Sequence, residues 1–406
     1  MNTLVAFIVS ILLLAATSTA HRVSRSSRDY PQWRGPTRDG SASAFIAPKV
    51  WPEHLTRRWN IDVGEGYATP LLVDSTVYVF VRQGDDEVML AIDAETGRPR
   101  WRAAYPAAYT PARPAASHGA WPKATPLFHN RRLFTLGITG VLSAFEPATG
   151  KLLWQTLPPK ESPFYGAASS PVAYRDVVIA HPGNYGPLTA FEAATGAVRW
   201  TSEGMGFFAS PIVVELSGVR QVVTVLADSI IGVSPTNGEV LWRRLCRAGG
   251  GAVTPIVHND TIIVAGLDMG VVAIRPRRRQ GNWSVEEVWE TKDVSAYVST
   301  PVVSGGVLYG LSHRNSGQFF ALDASTGKVL WLGRPRIATN TAVVKAADTL
   351  FFLNDDAELI VLKANPKRFQ PIRTYRVADS ATWAQPLISG RRIFVKDTRS
   401  LTLWTY

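Results

Sequence analysis

Residues 321–331 read Ala-Leu-Asp-Ala-Ser-Thr-Gly-Lys-Val-Leu-Trp, and this frame decides the architecture because it keeps returning. AIDAETGRPRW covers Ala91–Trp101, AFEPATGKLLW covers Ala144–Trp154, and AFEAATGAVRW covers Ala190–Trp200. In Gly232–Trp242 the same frame carries Asn-Gly in place of Thr-Gly. A fifth copy is expanded to RPRRRQGNWSVEEVW, ending at Trp289, and a degenerate one has Tyr375 where the indole should stand. Ahead of each frame comes Thr/Ser-Pro, or a relic of it, followed by two short apolar runs around a polar turn. The starts are Thr69, Thr125, Ser170, Ser210, Thr254, Thr300, Thr341 and Gln385, which lie 40 to 56 residues apart.

That period is the length of a four-stranded antiparallel blade. Thr-Gly and Asn-Gly supply the positive-φ residue that tight turns between strands need. One such sheet cannot bury both of its faces alone, so neighbours stack, and large indoles fill the wedge between them. Ala or Gly at the first position of the frame leaves room for those rings. The closing residues Trp59, Trp101, Trp154, Trp200, Trp242, Trp289 and Trp331 are therefore expected to be structural docking groups. The last unit stops at Tyr406 after only three strands. Thr56-Arg-Arg-Trp59-Asn-Ile-Asp-Val63 carries an indole at the closing position and is expected to supply the missing strand, which removes the exposed edges. The reading is all-β: an eight-bladed β-propeller over residues 57–406, closed by its N-terminal strand.

The composition, 46% apolar and 18% charged, is that of a folded globular chain. Leu4–Ala15 is an unbroken apolar run followed by small residues, so residues 1–20 are read as a signal peptide cleaved after Ala20. The run lacks the usual Lys or Arg, and it is too short to span a bilayer as a helix. A short uncleaved anchor is the alternative. With Cys246 as its single cysteine the chain has no internal disulfide, and packing alone must hold it. The export reading places the protein in the periplasm, outside the cell or on its surface, as a monomer. The net charge is +11, carried mainly by arginine pairs and runs such as Arg57-Arg58, Arg131-Arg132, Arg391-Arg392 and Arg277-Arg278-Arg279. This suits attraction to anionic envelope surfaces, or simply solvated turns. No nucleic-acid motif accompanies the charge.

The Ala-x-Asp-x-x-Thr-Gly-x-x-x-Trp frame resembles the tryptophan-docking repeat of pyrroloquinoline-quinone-like (PQQ-like) β-propellers. Within the 21–56 extension, Asp29-Tyr-Pro-Gln-Trp33-Arg-Gly35-Pro-Thr-Arg-Asp39-Gly40 looks like the Trp-Arg-Gly-Pro segment that introduces exported bacterial members of that group. The resemblance implies one of two functions: a quinoprotein dehydrogenase holding PQQ and calcium, or a non-catalytic propeller of the BamB type. Fold does not choose between them. A CxxCH haem site and the adjacent-cysteine disulfide of many quinoprotein alcohol dehydrogenases are both excluded by the single thiol. There is also no GxSxG elbow, HExxH or P-loop.

Antiparallel strands put the inter-blade connections and the turns between strands two and three on one face, here called the connection face. The Thr-Gly turns lie on the opposite face. Candidate binding residues on the connection face are Glu65, Tyr67, Trp121, Lys123, Tyr165, Phe207, Phe208, Tyr297 and Trp383, an aromatic mouth for a planar ligand or an extended segment. Packing between adjacent loops is the competing role for the same rings. Asp85, Asp86, Asp228, Asp268, Asp355 and Asp356 share this face but lack metal-ligand spacing. The Pro/Ala-rich connection Ala103–Trp121 is read as a stiff loop over the mouth, either a lid bearing His118 or a tolerated insertion. The favoured function is a non-catalytic module, without cofactor or metal, that binds or scaffolds protein or peptide partners in the cell envelope. The alternative is a PQQ- and calcium-dependent oxidoreductase acting on an alcohol or sugar.

Overall fold

The computed structural model describes residues 29–183, 185–206, 208–246 and 253–406. The segment read as a signal peptide, and Phe207, lie outside the described residues. The protein is a closed ring of eight four-stranded antiparallel sheets. Blade 1 consists of Leu71–Val73, Thr76–Gln83, Asp86–Asp93 and Pro99–Pro106. Blades 2 to 7 repeat that order between Leu127 and Arg376. Blade 8 takes Leu387–Ser389, Arg392–Lys396 and Ser400–Thr405 from the end of the chain and Thr56–Asp62 from its beginning. Ile61 pairs with Leu401 and Asn60 with Thr402, so the two ends are joined by a β-ladder.

The short first strands line the axis and pack against one another around the ring. Their Thr/Ser-Pro starts have a physical role that goes beyond ending the preceding loop. The backbone N–H of Thr69 donates to the Thr125 hydroxyl, that of Thr125 to Ser170 and that of Ser170 to Ser210. Thr254 donates in the same sense to Thr300, and Gln385 donates to Thr69, which carries the pattern across the closure. All of these groups are buried, where an unpaired amide costs about 1–3 kcal/mol.

The indoles lock the outer radius. Trp101 lies on Gly150 of the next blade's Thr-Gly turn and donates Nε1–H to the carbonyl of Pro147 at 2.9 Å. Trp59 and Trp154 repeat this on Ala94 and Ala193, Trp200 on Pro235 and Trp289 on Ala324. The glycine thus does two jobs, a positive φ and a flat seat for a ring. Trp331 bonds Asn365. Trp242 differs: blade 5 offers no Thr-Gly turn, and its indole turns back to Gln221 of its own blade. Blade 5 instead extends Gly270–Arg279 and Asn282–Thr291 into a long hairpin whose Trp283 and Val285 pack onto the apolar cluster of blade 4.

The 21–56 extension, from Asp29 onward, is a plug, which its sequence did not announce. Tyr30 bridges to Leu72 in blade 1, and Pro31 accepts from Phe128 in blade 2. Arg38 reaches Ser170, Pro171 and Pro211 in blades 3 and 4, and Trp33 donates to Thr254 in blade 5. Arg34 bonds Thr300 and Pro301 in blade 6, Asp39 pairs with Lys345 in blade 7, and Ser43 donates to Ile388 in blade 8. Asp29 accepts from the turn at Asp74, and Ser43 also pairs with Gly390. Those turns between first and second strands place the plug at the Thr-Gly side of the ring. Beyond it, Trp51 packs on Tyr406 and Phe351, and Tyr375, the missing indole of blade 7, donates to Pro52.

Candidate functional site

The connection face gathers some of the expected aromatics and separates others. Tyr67 meets Trp121 edge-on at 5.7 Å between centroids and Trp383 at 5.8 Å. His118 adds an edge contact to Trp383 at 6.4 Å. Across the mouth, Tyr165 packs against Phe208 at 5.6 Å and Phe164 at 4.8 Å. These rings, with the cleft they line beside His181 and Gly206, form a second cluster. Tyr297 stands apart in blade 6 with His313 as its ring partner.

The loop that carries His118 begins later than its composition suggests, because the fourth strand of blade 1 continues to Pro106. A short turn of 3-10 helix, Arg113–His118, then crosses the face. Arg82, nearly buried, clamps both of the loop's ends by donating to the carbonyls of Ala107 and Ala120. Tyr109 ties its middle to Pro163. The loop therefore spans from the Trp383 corner to the blade 2–3 connection. Burial, then the charge of Lys123, lowers the pKa of His118, so it is uncharged at neutral pH.

Lys123 is pulled down to about 8 by burial and gives its ammonium to the carbonyl of Tyr165 at 2.6 Å, so it links the two aromatic clusters. Glu65 pairs with Arg399 at the blade 8–1 junction. Beside it Lys396, lowered to about 7 by burial, donates to the carbonyls of Gly66, Asp397 and Thr398. These cations are committed to backbone oxygens. At the axis Arg34 and Arg38 are lowered by burial to about 10 and 9, remain charged at neutral pH, and spend their donors on blade carbonyls.

The acids of the connection face do not converge. Asp355 accepts from Thr339 and Asn340, and Asp85 pairs with Arg82. Among the described residues no three of His, Cys, Asp and Glu gather closely enough to hold a metal ion. A calcium–PQQ pair needs a cluster of oxygen ligands, and cations to meet the quinone's carboxylates. The described residues do not fit that demand, because the acids are dispersed and the half-buried Lys123 and buried Lys396 are already engaged. Cys246 is half-buried against the blade 4–5 cluster, and burial raises its thiol pKa, the reverse of an activated nucleophile.

Eight stacked blades, indoles seated on Thr-Gly turns and a shelf of Thr/Ser-Pro hydroxyls define a β-propeller of the PQQ-like repeat class. The family described as "Outer membrane protein assembly factor BamB" matches residues 117–333, more than half of the chain, and the protein belongs to it. It is 26% identical to the outer membrane protein assembly factor BamB of Moranella endobia, over 77% of this chain and 68% of that one. It is 24% identical to the dehydrogenase subunit of the quinone alcohol dehydrogenase of Gluconacetobacter polyoxogenes, over 68% of this chain but 41% of that longer protein. The crystal structure of BamB from Moraxella catarrhalis superposes with a TM-score of 0.66 at 16% identity, covering 87% of this chain and 98% of that one.

Proposed function

We propose that this protein is an exported, non-catalytic propeller that binds and positions protein or peptide partners in the bacterial envelope through its connection face. The observation that carries the reading is the Tyr67–Trp121–Trp383 cluster, whose half-buried rings meet at the mouth of a ring closed from behind by its own N-terminal segment. Such rings offer large contact area at small loss of side-chain freedom, as interface anchors do. The Arg82 clamp and the Lys123 link pre-set the loop geometry, which reduces what a partner must order on binding. The BamB-named relatives, which this chain matches over two thirds of their length, favour an assembly role. The quinone dehydrogenases are matched over only 41% of theirs.

The test is a double substitution, Trp121→Ala with Trp383→Ala, in the exported protein. Proteins cross-linked to wild type in intact cells, identified by mass spectrometry, should be lost from the variant while its thermal midpoint moves by only a few degrees. A collapse of the midpoint would make the rings packing groups. Retained PQQ with dye reduction by an alcohol would make the protein an oxidoreductase.

A further inference from the structure

The Thr-Gly face has a character that the proposed partner surface does not share. Lys49, Arg131, Lys151, Lys367, Arg368 and Arg391 are all exposed, and none forms an ion pair among the described residues. Arg131 and Arg391 come from the turns between first and second strands of blades 2 and 8, Lys151, Lys367 and Arg368 from the turns between third and fourth strands of blades 2 and 7, and Lys49 from the segment after the plug, so they crown one side of the disc. On the connection face, by contrast, Asp85, Asp86, Asp293, Asp355, Asp356 and Asp379 offset the cations. The Thr-Gly side also carries acids, among them Asp74, Glu95 and Glu146, but the six cations form no ion pair with them among the described residues.

Two apolar side chains stand among these cations. Ile46 is 44% exposed and Val50 77% exposed, on either side of Lys49. Ile46 is fixed by its backbone N–H, which donates to the carbonyl of Gly390 beside Arg391, and it shares a groove there with Glu95 of blade 1. The chain enters the described structure at Asp29, against the Asp74 turn of this same face. The sequence just before it carries Arg22, Arg25 and Arg28 with no acid among residues 21–28. Unpaired cations around protruding aliphatics are the pattern of a surface that rests on anionic headgroups and buries its apolar tips shallowly.

We infer that the Thr-Gly face docks flat on an anionic phospholipid surface, with Ile46 and Val50 as insertion points, leaving the connection face turned away from the bilayer. A soluble polyanion offers phosphates but no apolar layer for the two aliphatics, so the bilayer is the fitting partner. This inference does not depend on the partner-binding role of the opposite face.

The experiment is vesicle flotation of the chain from His21, which keeps the three arginines; the ring and its plug are complete from Asp29 onward. The vesicles are phosphatidylcholine alone or mixed with phosphatidylglycerol. Wild type should float with the anionic vesicles, not the neutral ones, and less so as salt rises. Each surface cation contributes about fivefold in partition, so Lys367→Gln/Arg368→Gln/Arg391→Gln should lower it by about a hundredfold. The same number of changes on the other face, Arg314→Gln/Arg334→Gln/Arg336→Gln, should leave it within about twofold. Ile46→Ser with Val50→Ser should abolish the binding that survives at high salt. The inference fails if wild type ignores anionic vesicles, if both triple variants lose binding equally, or if inorganic polyphosphate is bound while vesicles are not.

Discussion

Gly150 has φ +74°, and an added Cβ would lie 2.5 Å from Cε3 of Trp101. Gly281, at the tip of the blade 5 hairpin, has φ +86° with nothing within 4 Å of that position. The two glycines separate backbone strain from the seat of the ring. Gly281→Ala should cost about 1–2 kcal/mol, the penalty of a left-handed alanine. Gly150→Ala adds displacement of a docked indole and should cost about 2 kcal/mol more. Denaturant midpoints with unchanged m-values measure the difference. His181 gives a residue-scale pH dependence. Burial holds it at about 4 against an ordinary 6.5, with Nδ1–H donating to Gly186 and Nε2 accepting from Thr224. The unfolded chain therefore takes up a proton first as pH falls. The stability this group secures is intact above about pH 6.5 and is lost progressively toward pH 4, up to about 3 kcal/mol. His181→Gln should flatten that part of the stability profile, measured by urea unfolding at neutral pH and near pH 4.

Among the elements, legibility followed repetition. The strands, their turns and the closing segment Thr56–Asp62 recur or complete a recurring unit, so period and turn chemistry revealed them. The plug has no period: Trp33, Arg34 and Arg38 are each used once, on different blades, and no local pattern marks an arginine as one that will be buried. The aromatics of the connection face could be read as a set because Tyr67, Phe208 and Trp383 stand at one equivalent position ahead of the repeat starts, with Trp121, Tyr165 and Tyr297 near it, yet their division into two clusters depends on Lys123 and the loop ending at Trp121. Trp242 broke rank for a reason present in the sequence, the missing Thr-Gly of blade 5, although only packing shows what the indole does instead. The plug's energetics are testable through Arg38, whose guanidinium satisfies three buried carbonyls without a carboxylate partner. Arg38→Met keeps the stem and strands those oxygens, so it should lower stability by about 3 kcal/mol. Arg38→Lys, a compact charge without the planar fork, should recover less than half of that loss in urea unfolding.

For the whole molecule, the question is what keeps a ring of eight sheets from opening at the one seam between chain ends. Two devices cross it. Thr56–Asp62 pairs with Ser400–Thr405, and the plug ties every blade to one segment. Their contributions differ in kind. The ladder removes a free strand edge, whereas the plug adds stability without closing any edge. A chain beginning at Glu53 keeps the ladder and loses the plug, so it should remain monomeric with a lower thermal midpoint. A chain beginning at Val63 leaves one edge of Ser400–Thr405 unpaired, with Arg392–Lys396 still on its other side, and that free edge, which carries the buried Leu401 and Leu403, is a template for another chain. That protein should dimerise or aggregate at concentrations where the first truncation stays monomeric, as light scattering on a sizing column would register. If both truncations stay monomeric, the seam is held by the hydroxyl shelf and the stacked cores, and the borrowed strand is dispensable for closure. If the chain from Glu53 associates as readily as the shorter one, the plug rather than the ladder is what keeps the ring shut.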